Sequence, residues 1–176
     1  MTLISGLIIA LLLAILTISS YIARLYAESG KFLPGEFQEN IDIWESKIEP
    51  RLGLDRERIA LSASVLTQVS LASLALYFGV LLFAANGSTR PTAAEAAQAV
   101  LGTILVIVLF NQFLPFVFFT RTAGVWALRL LPMIRILIYL VLPVTLFLAF
   151  LLSVAALAEP RPGDQEEDTS EAAVDA

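Results

Sequence analysis

Three long apolar runs, separated by charged segments, dominate the pattern of hydrophobic and polar positions along the chain. They cover residues 3–23, 59–85 and 96–120, and none of them contains a charged side chain. At about 1.5 Å of rise per residue, each run is long enough as an α-helix to cross the roughly 30 Å hydrocarbon core of a bilayer. The first run is too long, and too poor in preceding basic residues, for a cleaved signal peptide. The pattern predicts an all-α integral membrane protein with three transmembrane helices.

A fourth apolar stretch, residues 130–158, is interrupted by Pro132 and Pro143. Its length allows a fourth span, whereas the two prolines allow a belt of shorter helices lying in the membrane plane. Both alternatives stay open at the level of the sequence. The last eighteen residues, 159–176, are acidic and contain almost no large apolar side chains, so we expect a disordered tail.

The segment between the first two runs is strongly charged, but it also carries an apolar stripe. Residues 24–58 hold six of the eleven basic residues together with eight acidic ones. Four apolar side chains recur there at helical spacing: Phe37, Ile41, Trp44 and Ile48. They predict a short amphipathic helix, bounded by Pro34-Gly35 and Pro50. Its stripe either packs on the rest of the protein or lies on the membrane interface.

The second run is unusually polar in its first half. Asp55 can cap the helix, and Ser64, Thr67 and Gln68 fall on one of its faces. Small hydroxyl residues commonly join transmembrane helices through hydrogen bonds, and we favour that interpretation over a transport site.

The third run contains two amides and a proline. It begins at a predicted capping box formed by Thr92 and Glu95. Further along, Pro115 cannot donate to the carbonyl of Asn111, so we expect a kink that leaves this carbonyl free. Together with the amides of Asn111 and Gln112, the kink is a candidate cation or water site.

Composition excludes several classes of function. The chain has no Cys and no His, which removes disulfides, thiolate and imidazole metal sites and Ser-His-Asp catalysis, so we do not expect an enzyme or a bound cofactor. The net charge is −5, but seven of the sixteen acidic residues lie in the last eighteen positions. Nucleic acid is therefore not an expected partner, whereas the lipid bilayer is.

The distribution of basic residues predicts the orientation. Residues 24–58 hold six Lys and Arg and the segment after the third run holds three, whereas residues 86–95 hold only Arg90. The positive-inside rule then places the N-terminus outside and residues 24–58 in the cytoplasm, in a plasma or inner membrane. The tail is outside if the last stretch spans the membrane and cytoplasmic if it does not.

Three segments together resemble the transmembrane domain of the cyclin-M and CorB/CorC family, which is associated with magnesium transport. Residues 104–119, with Asn111-Gln112 and Pro115, are similar to the family's apolar run followed by F-G-E-x-x-P-K. Residues 128–137 and the apolar run with Pro143 are similar to its juxtamembrane belt, and residues 16–30 to its L-S-x-S-R and A-E-E-G stretch. The resemblance covers nearly all of residues 1–158. The resemblance implies a homodimer, or a heterodimer with a full-length relative.

The departures from this family bear on function. Asn111-Gln112 replaces Gly-Glu, Phe116 replaces the Lys after the proline, Val69 and Ser73 stand at an Asn pair, and an apolar residue near Leu12 replaces a Glu. The nucleotide-binding repeats that usually follow the family's membrane domain are also not found. No carboxylate remains in the predicted spans, whereas magnesium usually takes at least one or two.

Two hypotheses follow from these departures. The first is a degenerate relative of magnesium transporters that acts as a membrane scaffold or as a regulatory or partner subunit. The alternative is a minimal cation transporter that uses the kink at Pro115. Its weak magnesium site would draw on hydroxyls and amides alone: Thr17, Ser19, Ser64, Gln68, Asn111 and Gln112.

Overall fold

The computed structural model describes residues 2–29, 35–86, 92–122 and 124–158, and helices account for nearly all of them. The chain order is α1 (Thr2–Glu28), α2 (Gly35–Ile43), a first π-helical turn (Trp44–Ile48), α3 (Glu49–Leu52) and α4 (Arg56–Asn86). There follow α5 (Ala93–Val106), a second π-helical turn (Ile107–Phe113), α6 (Leu114–Arg121), α7 (Val125–Arg129) and α8 (Leu131–Ala158). The described residues contain no strand, and the predicted all-α class is confirmed.

Four helical segments are long and apolar enough to cross a membrane, which makes this a membrane protein. They are Leu3–Glu28, Arg56–Ala84, Ala93–Arg121 and Leu131–Ala155. We refer to α5, the second π-helical turn and α6 together as the third membrane helix. Each predicted run lies inside a longer helix, because the helices continue beyond their apolar residues. α1, for example, runs past Ala23 to Glu28, and Leu25 in this extension is buried.

Of the two alternatives for the fourth apolar stretch, the structure agrees with the unbroken helix. α8 is one helix of 28 residues that contains Pro143. Proline removes one backbone hydrogen bond, and transmembrane helices tolerate this loss where neighbouring groups compensate. Pro132 also fits, because proline is compatible with the first turn of a helix. A single helix of this length agrees with a fourth span and not with two short in-plane helices.

The amphipathic segment packs on the protein. α1 ends, α4 begins, α6 ends and α8 begins at the same end of the bundle, which we call the basic end. There Ile41, Trp44 and Ile48 are buried in the largest core cluster, together with Tyr21 and Leu25 of α1. Of the two interpretations of the stripe, the structure therefore agrees with packing on the rest of the protein. Pro50 does not end the helical segment as predicted, because it lies in the first turn of α3.

A buried asparagine ties this segment to the bundle. Asn40 is 1% exposed, its amide donates to the carbonyl of Phe119 at 2.8 Å, and its oxygen accepts from the Tyr21 hydroxyl at 3.0 Å. Gly124 lies directly beside it with φ +69°, a conformation that favours glycine. A Cβ atom on Gly124 would lie 2.9 Å from the Asn40 oxygen, so only glycine fits this approach.

The helix starts agree in part with the predicted caps. The capping box is confirmed: the Thr92 hydroxyl accepts from the Glu95 backbone, and the Glu95 carboxylate accepts from the Thr92 backbone. Asp55 precedes α4 as predicted, and its carboxylate lies 3.3 Å from Arg58. The predicted disordered tail, residues 159–176, lies outside the described residues, as does the Phe37 side chain.

Candidate functional site

A polar cavity of about 330 Å³ lies between α1, α4 and the second π-helical turn, towards the basic end. α1 forms its back wall and packs against both α4 and the third membrane helix. α4 packs on α5, and no comparable packing among the described residues joins α4 to α6. α4 and the third membrane helix therefore separate towards the basic end, and the cavity opens on the side of the bundle.

The back wall presents three polar side chains from one face of α1. Ser20, Arg24 and Glu28 line the cavity at intervals of four residues, which is the spacing of neighbours on a helix face. The Arg24 guanidinium donates to the backbone carbonyl of Gln112 at 3.4 Å and lies 5.0 Å from the centre of the Phe116 ring. These two contacts hold the guanidinium at the cavity wall. Glu28 also interacts with another group of the protein.

The wall formed by α4 contributes Ser64, Thr67 and Gln68. Ser64 and Gln68 are exposed. Thr67 is buried and bonded: its hydroxyl donates to the Ala63 carbonyl at 2.9 Å and lies 3.0 Å from the Ser19 hydroxyl. A second buried hydroxyl pair, Ser62 and Thr145 at 3.0 Å, joins α4 to α8. Ser62 and Thr67 thus make the predicted contacts between helices, whereas the exposed Ser64 and Gln68 face the cavity.

The third membrane helix contributes Asn111 and Gln112 from its π-helical turn. The turn is defined by bonds such as that from the Leu114 N–H to the Leu109 carbonyl, five residues back. It ends two residues before Pro115, which has no N–H to continue the α-helical pattern. Arg24 bonds the backbone carbonyl of Gln112 in this turn, one residue after the Asn111 carbonyl that the sequence predicts to be free.

The structure brings four of the six predicted candidates together and separates two. Ser64, Gln68, Asn111 and Gln112 line the cavity. Thr17 does not: its hydroxyl donates to the Leu13 carbonyl at 2.8 Å, and it lines a separate apolar cavity.

Ser19 is also outside the polar cavity. It is fully buried, and its hydroxyl donates to the Leu16 carbonyl at 3.0 Å. In its place the neighbouring Ser20 reaches the site, because its hydroxyl donates to the Asn111 side-chain oxygen at 2.6 Å. A shift of one residue along α1 turns a side chain by about 100° and so decides which hydroxyl faces the cavity.

The residues missed by the sequence reasoning are Ser20, Arg24 and Glu28. Ser20 lies near the end of the apolar run 3–23, and Arg24 and Glu28 lie beyond it. The signal was nevertheless present, since polar residues at every fourth position mark one face of a helix.

The charges of the cavity are balanced and sparse. Arg24 and Glu28 are the two charged residues among those that line it. Across the described ranges, no group of three or more His, Cys, Asp or Glu side chains is arranged to hold a metal ion. The other polar groups of the lining are hydroxyls and amides.

No family model, curated protein or solved structure matches this chain. The resemblance to the cyclin-M and CorB/CorC family therefore stays a prediction from the sequence.

Proposed function

We propose that this chain is a membrane scaffold or regulatory partner subunit whose cyclin-M-like membrane domain carries no magnesium. The observation that supports this proposal is the position of Arg24. Its guanidinium lines the same cavity as Asn111 and Gln112, where the alternative hypothesis requires a cation to bind.

A guanidinium at this position opposes a divalent cation. At an effective dielectric constant of about 20, a divalent ion about 5 Å from a single positive charge is repelled by roughly 7 kcal/mol. Glu28, one helical turn away, offsets part of this repulsion. The amides and hydroxyls of the cavity supply neutral oxygens, and magnesium is usually bound with at least one or two carboxylates. The cavity is therefore a poor magnesium site.

The exposed surface supports a role in assembly. The third membrane helix is the least buried of the four, with 11% of its apolar window inside the protein against 28% for α1. The third membrane helix therefore has a long exposed face on which a second copy of the chain or a full-length relative can pack. In this proposal the basic end faces the cytoplasm and the N-terminus lies outside, because nine of the eleven Lys and Arg residues lie in segments 24–58 and 121–135.

The test is magnesium-dependent thermal stability of the purified protein. We expect no stabilisation of the wild type by millimolar magnesium, and a small one for Gln112→Glu, because Arg24 would pair with the new carboxylate. The double variant Arg24→Gln/Gln112→Glu removes that competitor and should show the largest stabilisation. Gln98→Glu makes the same change on the exposed surface of α5, outside the cavity, and should behave as the wild type.

A minimal cation transporter is the second candidate, because four of the six predicted ligands do share one cavity with Glu28. Strong stabilisation of the wild type by millimolar magnesium, accompanied by magnesium flux into liposomes, would favour this candidate and overturn the scaffold proposal.

A further inference from the structure

The positions of its lining residues along the apolar runs indicate that the polar cavity lies at the depth of the lipid headgroups and reaches into the hydrocarbon layer. Arg24 directly follows the apolar run 3–23, which covers the bilayer core at about 1.5 Å per residue. Ser64 and Gln68, on the facing wall, stand further inside their own apolar run and are exposed. Exposed hydroxyls and amides at such a depth are costly unless a polar group meets them. We therefore expect a polar group that reaches the cavity from the bilayer to bind there.

Arg24 and the amides favour a phosphate group in this cavity. The contacts of Arg24 at the cavity wall use one N–H, towards the Gln112 carbonyl, and the face of the guanidinium, towards Phe116. A guanidinium carries five N–H donors, and its fork fits phosphate oxygens. Ser20 donates to the Asn111 oxygen, so the amide nitrogen of Asn111 is left as a donor. Arg24 and Asn111 thus both offer donors to the cavity.

Glu28 adds a carboxylate one helical turn from Arg24 on the same face of α1. A carboxylate can accept from several donors, so a further contact is compatible with the interaction that Glu28 already makes. A ligand with a phosphate and a primary ammonium group, joined by a short link, would meet both charges. Charges four residues apart on a helix are close neighbours, within reach of such a link.

We propose that this cavity binds the headgroup of phosphatidylethanolamine from the leaflet at the basic end. The phosphate lies against Arg24, with donors from Asn111, and the ammonium group donates to Glu28. The volume of about 330 Å³ is at the lower end of the range for small-molecule sites, which suits a headgroup. The lateral opening lets the acyl chains stay in the bilayer. This inference does not rest on the proposed scaffold role, because it depends on the charges and donors that line the cavity and not on what the chain assembles with.

The experiment compares phosphatidylethanolamine with phosphatidylcholine of the same acyl chains, using the full-length protein in detergent and native mass spectrometry. The two lipids differ in the N-methyl groups, and the quaternary ammonium has no N–H to donate to Glu28. We expect the wild type to bind phosphatidylethanolamine at least about tenfold more tightly than phosphatidylcholine, because a charge-assisted hydrogen bond contributes roughly that much affinity. Soluble phosphoethanolamine alone should bind far more weakly, and equal binding of this free solute would overturn a lipid source.

Three variants locate the site. Glu28→Gln should bring the ratio of the two lipid affinities close to one while phospholipid binding persists. Arg24→Gln should weaken both lipids. Arg121→Gln, which changes an exposed arginine of α6 outside the cavity, should leave affinities and ratio unchanged. Because the ratio is measured within one variant, a general loss of stability does not affect it. A wild-type ratio near one, or a ratio unaffected by Glu28→Gln, would overturn the proposal.

Discussion

Single polar residues join parts of this protein that lie far apart in the sequence. Asn40 links the amphipathic segment to Tyr21 of α1 and to the backbone of Phe119. Ser20 links α1 to Asn111 of the third membrane helix across 91 positions. In each case a buried or half-buried polar group has found a partner, as such groups must when water is excluded.

Asn40→Leu tests the importance of the Asn40 link. The substitution keeps a side chain of similar size but removes the amide that bonds the Tyr21 hydroxyl and the Phe119 carbonyl. We expect the free energy of unfolding to fall by about 2–4 kcal/mol, since removing one partner of a buried hydrogen bond costs about 1–3 kcal/mol and two such bonds are lost. The measurement is denaturant unfolding in detergent micelles.

Gln38→Leu is the matched control for this loss. Gln38 is exposed and bonds Asp42 on the surface of α2 at 3.2 Å, so its replacement should change stability by no more than about 0.5 kcal/mol. Equal losses for the two variants would contradict a special role of the buried amide.

The individual residues of the site were only partly predictable. Gln68 and Asn111 stood out because amides inside apolar runs are rare. Arg24 does not stand out, because it follows the apolar run and belongs to the charged segment 24–58. Only the packing of α1 against the third membrane helix shows that its guanidinium lies beside Gln112. A single sequence contains no direct signal for such a contact between distant segments.

At the level of elements, the second π-helical turn determines which side chains of the third membrane helix face α1. A π-helical turn holds one residue more than an α-helical turn and so rotates the following residues relative to those before it. Its position just before Pro115 along the chain gives a physical reason for it, since the proline cannot make the α-helical bond to Asn111.

Pro115→Ala restores that donor, and we expect the turn to relax towards an α-helix. Asn111 and Gln112 would then rotate away from Arg24 by on the order of 100°. The chain has no cysteine, so Gln112→Cys can be labelled cleanly with a water-soluble thiol reagent. Labelling of this position should fall when Pro115→Ala is added, whereas Ser64→Cys on α4 should label equally in both backgrounds. Unchanged labelling at position 112 would show that Pro115 does not maintain the turn.

The elements themselves were largely predictable, because the apolar runs and the Thr92 capping box specify helices locally. Their ends were not. α1 exceeds its run since Leu25 is buried by the amphipathic segment, a contact between elements that a local pattern does not show. Pro143 left two alternatives open, because tertiary packing and not the local pattern decides between them. A proline weakens a helix locally, but the helix persists where its apolar face is packed and its neighbours compensate.

At the scale of the whole molecule, the four long helices place the start of α1 and the end of α8 at the end opposite the basic end. The basic residues then predict the side of the membrane on which each end lies. We expect Ala94→Cys, which is exposed at the start of α5, to react with a membrane-impermeant reagent in intact cells. Ser46→Cys, exposed in the first π-helical turn, should react only after permeabilisation. The reverse pattern would show that the N-terminus is cytoplasmic.

The sideways opening of the cavity between α4 and the third membrane helix has a further consequence. Molecules reach such a groove by diffusing within the plane of the bilayer, so its occupancy depends on their mole fraction in one leaflet and not on their bulk concentration. Dilution of the surrounding buffer would leave the groove filled, whereas extensive washing with detergent would empty it. Preparations of the same chain would then differ in stability according to how much native lipid each had kept.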